Sequence, residues 1–376
     1  MRFYSSSTLS AVWLVACGLY VPAAEADDEP ALARTATAAA GANDLELDPQ
    51  EGLAFVVEPG ARISHEGFDP ASEPDCQVLR SDGKAVYRMW WTTRRYDGQK
   101  ATGENRWSSH TSVSTNGLEF RYERGPEFRS GRITNRTDRD LLRLPDGRWR
   151  AYTLIGGGNP WYCVDSYLAD GQAENWKWEP GIRVNFGQSG DWDTTAVRAP
   201  EGVLLKDGRI RVYYIGWNGA SGPYASNRQP GERWRILSAL SADGLEFVKE
   251  PGVRIDLDPA ADPPHGEVAM AKPLVVRLTD GRWRMYFAAP CVIDADAANS
   301  SSRRLLLSAV SSDGLAWRRE PGVRLFSEEG APASGWYPSL VRTTNGLLRL
   351  YYDSGAIRSA VERSSARKER TRDSVP

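Results

Sequence analysis

The chain repeats one short phrase five times along its length. Each copy places a small residue and an aromatic residue ahead of a closing Glu-Pro-Gly or Glu-Arg-Gly. The closing glutamates are about 56–71 residues apart, at Glu58, Glu123, Glu179, Glu250 and Glu320. A unit of this size that recurs along a chain indicates one supersecondary element used repeatedly. The repeat therefore limits the fold more than any other feature of the sequence.

A second phrase alternates with the first. Each copy has an apolar run, a turn pair and an alternating run rich in Tyr, Trp and Val; the turn pairs are Asp82-Gly83, Asp146-Gly147, Asp207-Gly208, Asp280-Gly281 and Asn345-Gly346. Such pairs supply the positive φ that tight hairpin turns need, so each copy predicts a β-hairpin. Five hairpins that alternate with a further strand predict an all-β, five-bladed β-propeller with four-stranded antiparallel blades.

The order of the two phrases predicts how the ring closes. The first copy of the outer phrase, at Gly52, precedes every hairpin, and the fifth hairpin is followed only by one strand-like run at 356–361. We therefore expect the N-terminal strand to complete the last blade, which would remove an exposed sheet edge.

The N-terminal 26 residues resemble a secretory signal peptide. An apolar run at 9–24 is too short for a comfortable transmembrane helix, and Ala24-Glu25-Ala26 is a cleavage site of the A-x-A kind. The alternative is a lipoprotein signal, in which Cys17 would carry the lipid anchor. Either interpretation predicts a secreted, periplasmic or cell-surface protein with no transmembrane span.

Three further segments follow the signal. Residues 27–50 are rich in Ala and acidic residues and predict a disordered linker. Residues 51–362 contain the repeats and predict one propeller domain, and residues 363–376 predict a charged, flexible tail.

The composition limits which classes of partner and cofactor the sequence predicts. The net charge of −2 gives no reason to expect nucleic-acid binding. Three cysteines remain after the signal, Cys76, Cys163 and Cys291, and both one disulfide with a free thiol and three buried thiols are open. The three histidines are too scattered for a zinc site, so we expect neither a metal nor a cofactor.

Four of the five hairpins have a carboxylate just ahead of their first strand. In a propeller the innermost strands line a central funnel, and their first residues converge at one mouth. Facing carboxylates are what glycoside hydrolysis uses, because one protonated acid donates to the leaving oxygen while an ionised one acts as base or nucleophile. The predicted catalytic residues are Asp75, Asp140, Asp193 and Glu267.

Cationic and aromatic residues lie at the same strand ends. Aromatic faces stack on sugar rings, and cations bind substrate or balance a negative cluster. The predicted substrate-binding residues are Arg139, Arg198, Lys272, Trp192, Trp336 and Tyr337. Simple charge pairing is the alternative for the three cations.

Two copies of the outer phrase read Ser-x-Asp-Gly-x-x-aromatic, from Ser241 to Phe247 and from Ser311 to Trp317. With the five predicted blades, this resembles the five-bladed glycosidase superfamily of arabinanase- and xylosidase-type family 43 and invertase-type family 32 hydrolases. The resemblance covers about residues 52–361. It implies carbohydrate as the partner, a polysaccharide or oligosaccharide.

The resemblance also implies roles for the predicted acids. Asp75 falls at the first-blade position of the base or nucleophile. Arg139-Asp140 resembles an Arg-Asp pair that stabilises the transition state, and Glu267 resembles the general acid. Asp193 competes with Asp140 for the third role.

This sequence departs from the family pattern in three places. The first blade reads Pro74-Asp75 where relatives have Asp-Pro, Leu141 follows Asp140 where the invertase branch has Pro, and the invertase Glu-Cys signature is absent. Some members hold a structural cation in the funnel, and nothing in this sequence specifies one.

These features predict a secreted glycoside hydrolase that acts on a furanoside, pentoside or related glycan. The alternative is a non-catalytic propeller that binds glycan or protein, since fold alone does not give function. A sialidase-like hydrolase ranks third, because the sialidase motif separates Asp from Gly and its ring has six blades.

Overall fold

The computed structural model describes residues 45–65, 68, 71–81, 83–93, 95–96, 99–100, 107–128, 136–155, 162–219, 231–269, 271–291 and 304–363. The predicted signal peptide, Cys17 and residues 364–376 of the predicted tail lie outside this part. Every regular element in the described part is a β-strand, as predicted. In chain order the strands are β1 (Glu46–Leu47), β2 (Phe55–Val57), β3 (Ser72–Ser81), β4 (Lys84–Thr93), β5 (Arg95–Tyr96), β6 (Gln99–Lys100), β7 (Ser108–Ser114), β8 (Arg121–Glu127), β9 (Arg136–Arg143), β10 (Trp149–Ile155), β11 (Cys163–Ala169), β12 (Lys177–Val184), β13 (Ala196–Leu204), β14 (Ile210–Trp217), β15 (Trp234–Ser241), β16 (Phe247–Lys249), β17 (Leu274–Leu278), β18 (Trp283–Pro290), β19 (Arg304–Ser311), β20 (Arg318–Arg319), β21 (Leu325–Phe326), β22 (Trp336–Arg342), β23 (Leu348–Asp353) and β24 (Ile357–Glu362).

The strands form five blades, which confirms the predicted five-bladed β-propeller. Blade 1 contains β3, β4, β7 and β8, blade 2 contains β9 to β12, and blade 3 contains β13 to β16. Blade 4 is built on β17 to β20, and blade 5 on β22 to β24. In blades 2 to 5 the predicted Asp-Gly and Asn-Gly turns join the first two strands; Asp82 of the blade 1 pair lies outside the described residues. Five blades in the described residues also separate this ring from the six-bladed sialidase fold.

The N-terminal strand closes the ring as the phrase order predicts. Strand β2 pairs antiparallel with β24, with Phe55 opposite Glu362, and so adds the outer strand of blade 5. One strand was not expected: β1 runs parallel to β17 in blade 4, with Glu46 opposite Arg277. Strand β1 therefore lies inside the segment 27–50 that the sequence predicts as a linker, and residues 27–44 of that segment lie outside the described part.

The repeated phrase ties each blade to the next. In four of the blades a tyrosine on the second strand donates to the carbonyl oxygen of the phrase glycine in the following blade. The distances are 2.7–3.0 Å, for Tyr152 with Gly244, Tyr213 with Gly314, Tyr286 with Gly52, and Tyr351 with Gly117. The last of these bonds joins blade 5 to blade 1, so the phrase locks the closed ring.

The repeated glutamate supports the same lock. In blade 2, Arg150 binds both carboxylate oxygens of Glu179 at 2.9 Å and donates to the carbonyl oxygen of Asp243 in blade 3. Gly244 has a φ of +77°, and a Cβ there would lie 2.8 Å from the Tyr152 hydroxyl. Both backbone conformation and space therefore require glycine at this position.

Aromatic and aliphatic side chains fill the spaces between blades. Trp90, Trp91, Trp217 and Trp234 are fully buried. Cys76, Cys163 and Cys291 are also buried and form no disulfide, so of the two open alternatives the structure has three buried thiols. No helix in the part of the chain that the structure describes is long and apolar enough to cross a membrane.

Candidate active site

Four of the five innermost strands begin with the same irregularity. Their pairing register shifts between Ser72 and Asp75, and at the matching points of blades 2, 3 and 5. One residue in each shift has a positive φ, namely Glu73, Asp138, Ala199 and Tyr337. Such β-bulges re-aim side chains and are frequent next to active sites. Here they divide the residues of the funnel into two layers.

The deeper layer is a closed ion cluster. Lys272 Nζ lies 2.9 Å from Asp140 Oδ1, 3.0 Å from Glu201 Oε2 and 3.5 Å from Asp75 Oδ2. Lys272 precedes blade 4, which does not neighbour blades 1 or 2, so these contacts cross the axis of the ring. All four side chains are at most 4% exposed. We call these four residues the deep cluster.

Burial governs the protonation of the deep cluster. It raises the pKa of Asp75, and the charge of Lys272 only partly opposes this. Burial also raises the pKa of Glu201 well above its usual range, and the charge of Asp140 adds to the effect. Burial disfavours the charged form of Lys272, but the three carboxylates outweigh it and raise the pKa of the ammonium. Burial thus favours the protonated forms of Asp75 and Glu201, while the surrounding carboxylates favour the charged form of Lys272.

The remaining polar atoms of the deep cluster are also occupied. Gln77 donates to Asp75 Oδ1 at 2.9 Å. The backbone amide of Gly202 donates to Asp140 Oδ2, and that of Val275 donates to Glu201 Oε1, both at 2.8 Å. Of the two sequence-based interpretations of Lys272, this geometry favours charge balance. Buried groups with fixed partners hold the inner strands together at the axis.

The layer above it contributes two of its side chains to the lining of a cavity. Asp138 accepts from Arg198 Nε at 2.8 Å and from the Tyr337 hydroxyl at 2.7 Å. These three residues come from blades 2, 3 and 5, so they too meet at the axis. Glu73 of blade 1 completes this set, which we call the mouth layer. Arg198 and Tyr337 line a cavity of about 160 Å³ together with Ala269, Ala271, Arg304 and Trp336.

Glu73 differs from the acids of the deep cluster in having an oxygen without a described partner. Its Oε2 accepts from Thr92 Oγ1 at 2.8 Å and from the backbone amide of Asp138 at 2.9 Å. Its Oε1 has no hydrogen-bond partner among the described residues. Burial, and then the charge of Asp138, raise the pKa of Glu73 to about 7. A carboxyl with this pKa changes protonation near neutral pH, which suits acid–base chemistry.

Arg139 binds the backbone of Glu73 and the side chain of Thr92, a residue that contacts the Glu73 carboxyl group. Its guanidinium is buried and donates to the Glu73 carbonyl oxygen at 3.0 Å, to Thr92 Oγ1 at 2.5 Å and to Ser109 Oγ at 3.3 Å. Burial lowers the pKa of Arg139, while the charge of Glu73 opposes that shift. Arg139 thus joins blade 2 to blade 1 and holds the strand that carries Glu73.

Asp193 and Trp192 lie elsewhere on blade 3. Asp193 accepts from the Tyr214 hydroxyl at 2.9 Å and lies 2.6 Å from Lys249 Nζ on the outer strand. Trp192 is 44% exposed, with the Arg235 guanidinium 4.4 Å from its ring centre. Both line a separate cavity of about 300 Å³, which shares no lining residue with the mouth cavity.

Glu267 lies on the segment that leads into blade 4. Its Oε2 accepts from the backbone amide of Trp234 at 2.9 Å, and the side chain is half-buried. Ala269 and Ala271, farther along the same segment, line the mouth cavity. The structure therefore places Glu267 next to the rim of the mouth, apart from the deep cluster.

The structure brings together only part of the predicted site. Asp75, Asp140 and Lys272 meet in the deep cluster, and Arg198, Tyr337 and Trp336 meet at the mouth. Sequence reasoning missed the acids Glu73, Asp138 and Glu201, as well as Arg304. One signal for Glu73 was available, since Glu73-Pro74 has the acid-before-Pro order of the family motif.

Among the described residues, no group of three or more His, Cys, Asp and Glu side chains could hold a metal ion. Within the deep cluster a lysine ammonium lies between the three carboxylates. The expectation that the protein needs no cofactor stays a prediction.

Comparison with solved structures finds the same ring fold in several proteins that are described as glycoside hydrolases. An endo-arabinase from Bacteroides thetaiotaomicron superposes with a TM-score of 0.54 and 14% identity, over 82% of this chain and 96% of that one. A family 117 glycoside hydrolase from Zobellia galactanivorans gives 0.54 and 14%, over 87% and 99%. A structure from the GH130 family, whose members include mannoside phosphorylases and glycoside hydrolases, gives 0.58 and 13%, over 84% and 95%.

No protein-family model matches the chain, and no curated protein matches it by sequence. At these identities the structural likeness establishes the fold. The expected resemblance to five-bladed glycosidase propellers is confirmed at that level.

Proposed function

We propose that the protein is a glycoside hydrolase whose reaction takes place in the mouth layer. The observation that carries this proposal is Glu73, a carboxyl at the funnel axis with a pKa of about 7 and one oxygen without a partner among the described residues. A base in this position accepts the proton of an attacking water most effectively when its pKa is near the working pH. Glu73 thereby takes the base role that the family resemblance assigned to Asp75.

Asp138 and its partners position and tune this base. The charge of Asp138 raises the pKa of Glu73. Arg198 and Tyr337 bind the two oxygens of Asp138 and fix its orientation. Glu267 remains our candidate for the general acid, because its segment runs along the mouth cavity. The mechanism needs two carboxyl groups on opposite sides of the scissile bond, one of which donates a proton.

The other predicted catalytic acids fit this chemistry less well. Asp75 and Asp140 are buried below the mouth and contact Lys272. Asp193 is paired with Lys249 beside a different cavity. We therefore propose structural roles for Asp75 and Asp140. Trp336 and Tyr337 line the cavity and are proposed to contact the sugar.

The fold and the size of the cavity support a proposal for the substrate class. The structural neighbours include an endo-arabinase, and the mouth cavity of about 160 Å³ suits one sugar ring or small group better than an enclosed oligosaccharide. We infer a terminal furanoside, pentoside or related residue of a glycan as the substrate.

A panel of aryl glycosides tests the proposal. Pentofuranosides, pentopyranosides and hexopyranosides with one chromogenic aglycone are offered to the wild type, to Glu73→Gln and to Glu119→Gln, an exposed acid of the same blade. We expect turnover of at least one glycoside by the wild type and Glu119→Gln, and its loss in Glu73→Gln. Equal turnover by all three proteins would refute the role of Glu73.

A non-catalytic glycan-binding propeller is the second candidate. It is favoured by Asp138, because both of its oxygens already accept hydrogen bonds from protein groups. On this alternative a glycan array detects binding at the mouth, while no glycoside or glycan is cleaved on prolonged incubation.

We also propose that the protein is exported. The apolar run at 9–24 and the Ala24-Glu25-Ala26 site support this. Mass spectrometry of the mature N-terminus separates the two routes: a chain that begins near residue 27 indicates cleavage at the A-x-A site, and a lipidated Cys17 indicates an anchor. An uncleaved Met1 terminus in the native host would contradict export by either route.

A further inference from the structure

We propose that the mouth cavity recognises an acidic sugar, with Arg304 as the residue that binds its anionic group. The inference rests on the proposed function, because it takes the mouth cavity as the place where the substrate sugar binds. The ligand class is a glycan residue that carries a carboxylate or a sulfate ester.

The two arginines of this cavity differ in their partners. Arg198 is ion-paired with Asp138, whose Oδ2 lies 2.5 Å from Arg198 Nη2. Arg304 has no carboxylate within 4 Å among the described residues. Burial raises the pKa of the neighbouring Asp353 to about 6, against weaker opposing influences that include the charge of Arg304. Arg304 is therefore a cation of this cavity whose charge no described carboxylate neutralises by direct contact.

The surroundings of Arg304 hold its guanidinium in place. Its Cζ lies 5.0 Å from the centre of the Trp336 ring. Its backbone carbonyl oxygen accepts from the Gly335 amide and from Ser334 Oγ, both at 3.0 Å. Stacking on an aromatic face leaves the edge of the guanidinium, with its N–H donors, available to a ligand. A planar fork of donors matches the two oxygens of a carboxylate.

The composition of the cavity favours an anion on a sugar over a neutral sugar alone. Trp336 and Tyr337 supply aromatic surface, Ala269 and Ala271 leave space, and Arg304 and Arg198 supply positive charge. A neutral sugar would use the aromatic surface and leave the charge of Arg304 without a partner. A uronic acid or a sulfated sugar would use both.

Equilibrium binding tests this inference without any need for turnover. Isothermal titration calorimetry in the Glu73→Gln background compares glucuronic acid, galacturonic acid and galactose 6-sulfate with glucose, galactose and inorganic phosphate. The titrations are repeated with Arg304→Gln, with Arg304→Lys, and with Arg148→Gln. Arg148 is a matched control, because it is an exposed arginine on a hairpin turn at the opposite end of blade 2.

We expect at least one acidic sugar to bind more tightly than its neutral counterpart. Arg304→Gln should weaken that binding by about 10- to 100-fold, as expected for loss of a charged hydrogen-bonded contact. Arg304→Lys, which keeps the charge and the fold, should lose less, and Arg148→Gln should change nothing. Circular dichroism checks that each variant is folded.

Two outcomes would overturn the inference. In one, acidic and neutral sugars bind equally and neither Arg304 variant matters. In the other, inorganic phosphate binds through Arg304 while no acidic sugar does, which would make the anion a free ion. Failure of the proposed function is recognised separately, because Glu73→Gln would then leave any measured glycosidase activity unchanged while the Arg304 effect on binding persisted.

Discussion

The deep cluster and the mouth layer are adjacent layers of the funnel and contain the same kinds of charged groups. The contacts among those groups differ between the two layers. In the deep cluster, Lys272 contacts all three carboxylates and leaves the group closed. In the mouth layer, Arg198 is ion-paired with Asp138, and Glu73 keeps an oxygen without a partner among the described residues. Acids whose oxygens all have fixed partners are held in place, whereas Glu73, with a pKa of about 7 and an oxygen without a described partner, is able to exchange a proton.

The largest expected effect comes from removing the cation of the deep cluster. Lys272→Met leaves three buried carboxylates without their counter-charge, and breaking a buried ion pair from one side costs about 3–5 kcal/mol. Urea denaturation should show this loss in the free energy of unfolding. Lys177→Met, at an exposed position of blade 2, is the control and should change it little.

Adding Asp140→Asn and Glu201→Gln to Lys272→Met should recover part of the lost stability, because fewer charges are then left unpaired. A Lys272→Met protein as stable as the wild type would show that the deep cluster does not hold the ring together.

The second largest effect concerns activity. Glu73→Gln removes the proposed base and should lower kcat by about 10²–10⁴-fold, the usual contribution of acid–base catalysis. The protein should stay folded, because Gln still accepts the hydrogen bonds from Thr92 and from the Asp138 amide. Steady-state kinetics on the best substrate of the aryl glycoside panel measure the change. A loss below about threefold would remove Glu73 from the mechanism.

The pH dependence of kcat/KM tests the role of Glu73 with a smaller expected effect. Only the ionised form of Glu73 accepts a proton, so kcat/KM should rise with pH through a midpoint near 7. Asp138→Asn removes the charge that raises the Glu73 pKa, so the midpoint should move to lower pH. A profile that lacks this limb, or an unshifted midpoint in Asp138→Asn, would contradict the assignment.

The raised pKa of Glu73 predicts that the free energy of unfolding falls as pH rises, whereas kcat/KM rises. Because the folded pKa of Glu73 lies above its unfolded value, the folded state binds this proton more tightly. Its contribution to stability is therefore complete at low pH and is lost as pH rises through about 7. The free energy of unfolding should fall more between pH 5 and pH 8 in the wild type than in Glu73→Gln, by about 1–3 kcal/mol. Parallel curves for the two proteins would contradict the raised pKa.

The smallest expected effect is at Asp193. Its carboxylate lies beside a different cavity and is paired with Lys249. Asp193→Asn should change kcat/KM by less than about twofold per folded molecule, measured on the same substrate. A large loss of activity would show that the mouth layer is not the whole site.

The sequence predicted the fold well because its signals are local. Each Asp-Gly or Asn-Gly pair specifies a hairpin, and the early copy of the outer phrase at Gly52 predicted the closure by β2 that the structure shows. The role of the phrase as a lock between blades was not predicted. It depends on partners far along the chain, such as Tyr351 with Gly117.

The site was predicted less completely because bulges shift the register. Glu73 and Asp75 are two residues apart on one strand, and only the positive φ at Glu73 separates the mouth from the deep cluster. Glu201 lies inside an apolar-looking strand, where nothing in the sequence marks an acid that meets Lys272. Such contacts depend on the packing of several blades around one axis.

We propose that the carboxyl group of Glu73 in the mouth layer, and not the carboxyl groups of the deep cluster, performs the chemistry. Measuring kcat/KM per folded molecule for Glu73→Gln and Asp75→Asn side by side tests this assignment. We expect a loss of about 10²-fold or more for Glu73→Gln and nearly full activity for Asp75→Asn. Full activity in Glu73→Gln with loss in Asp75→Asn would contradict it.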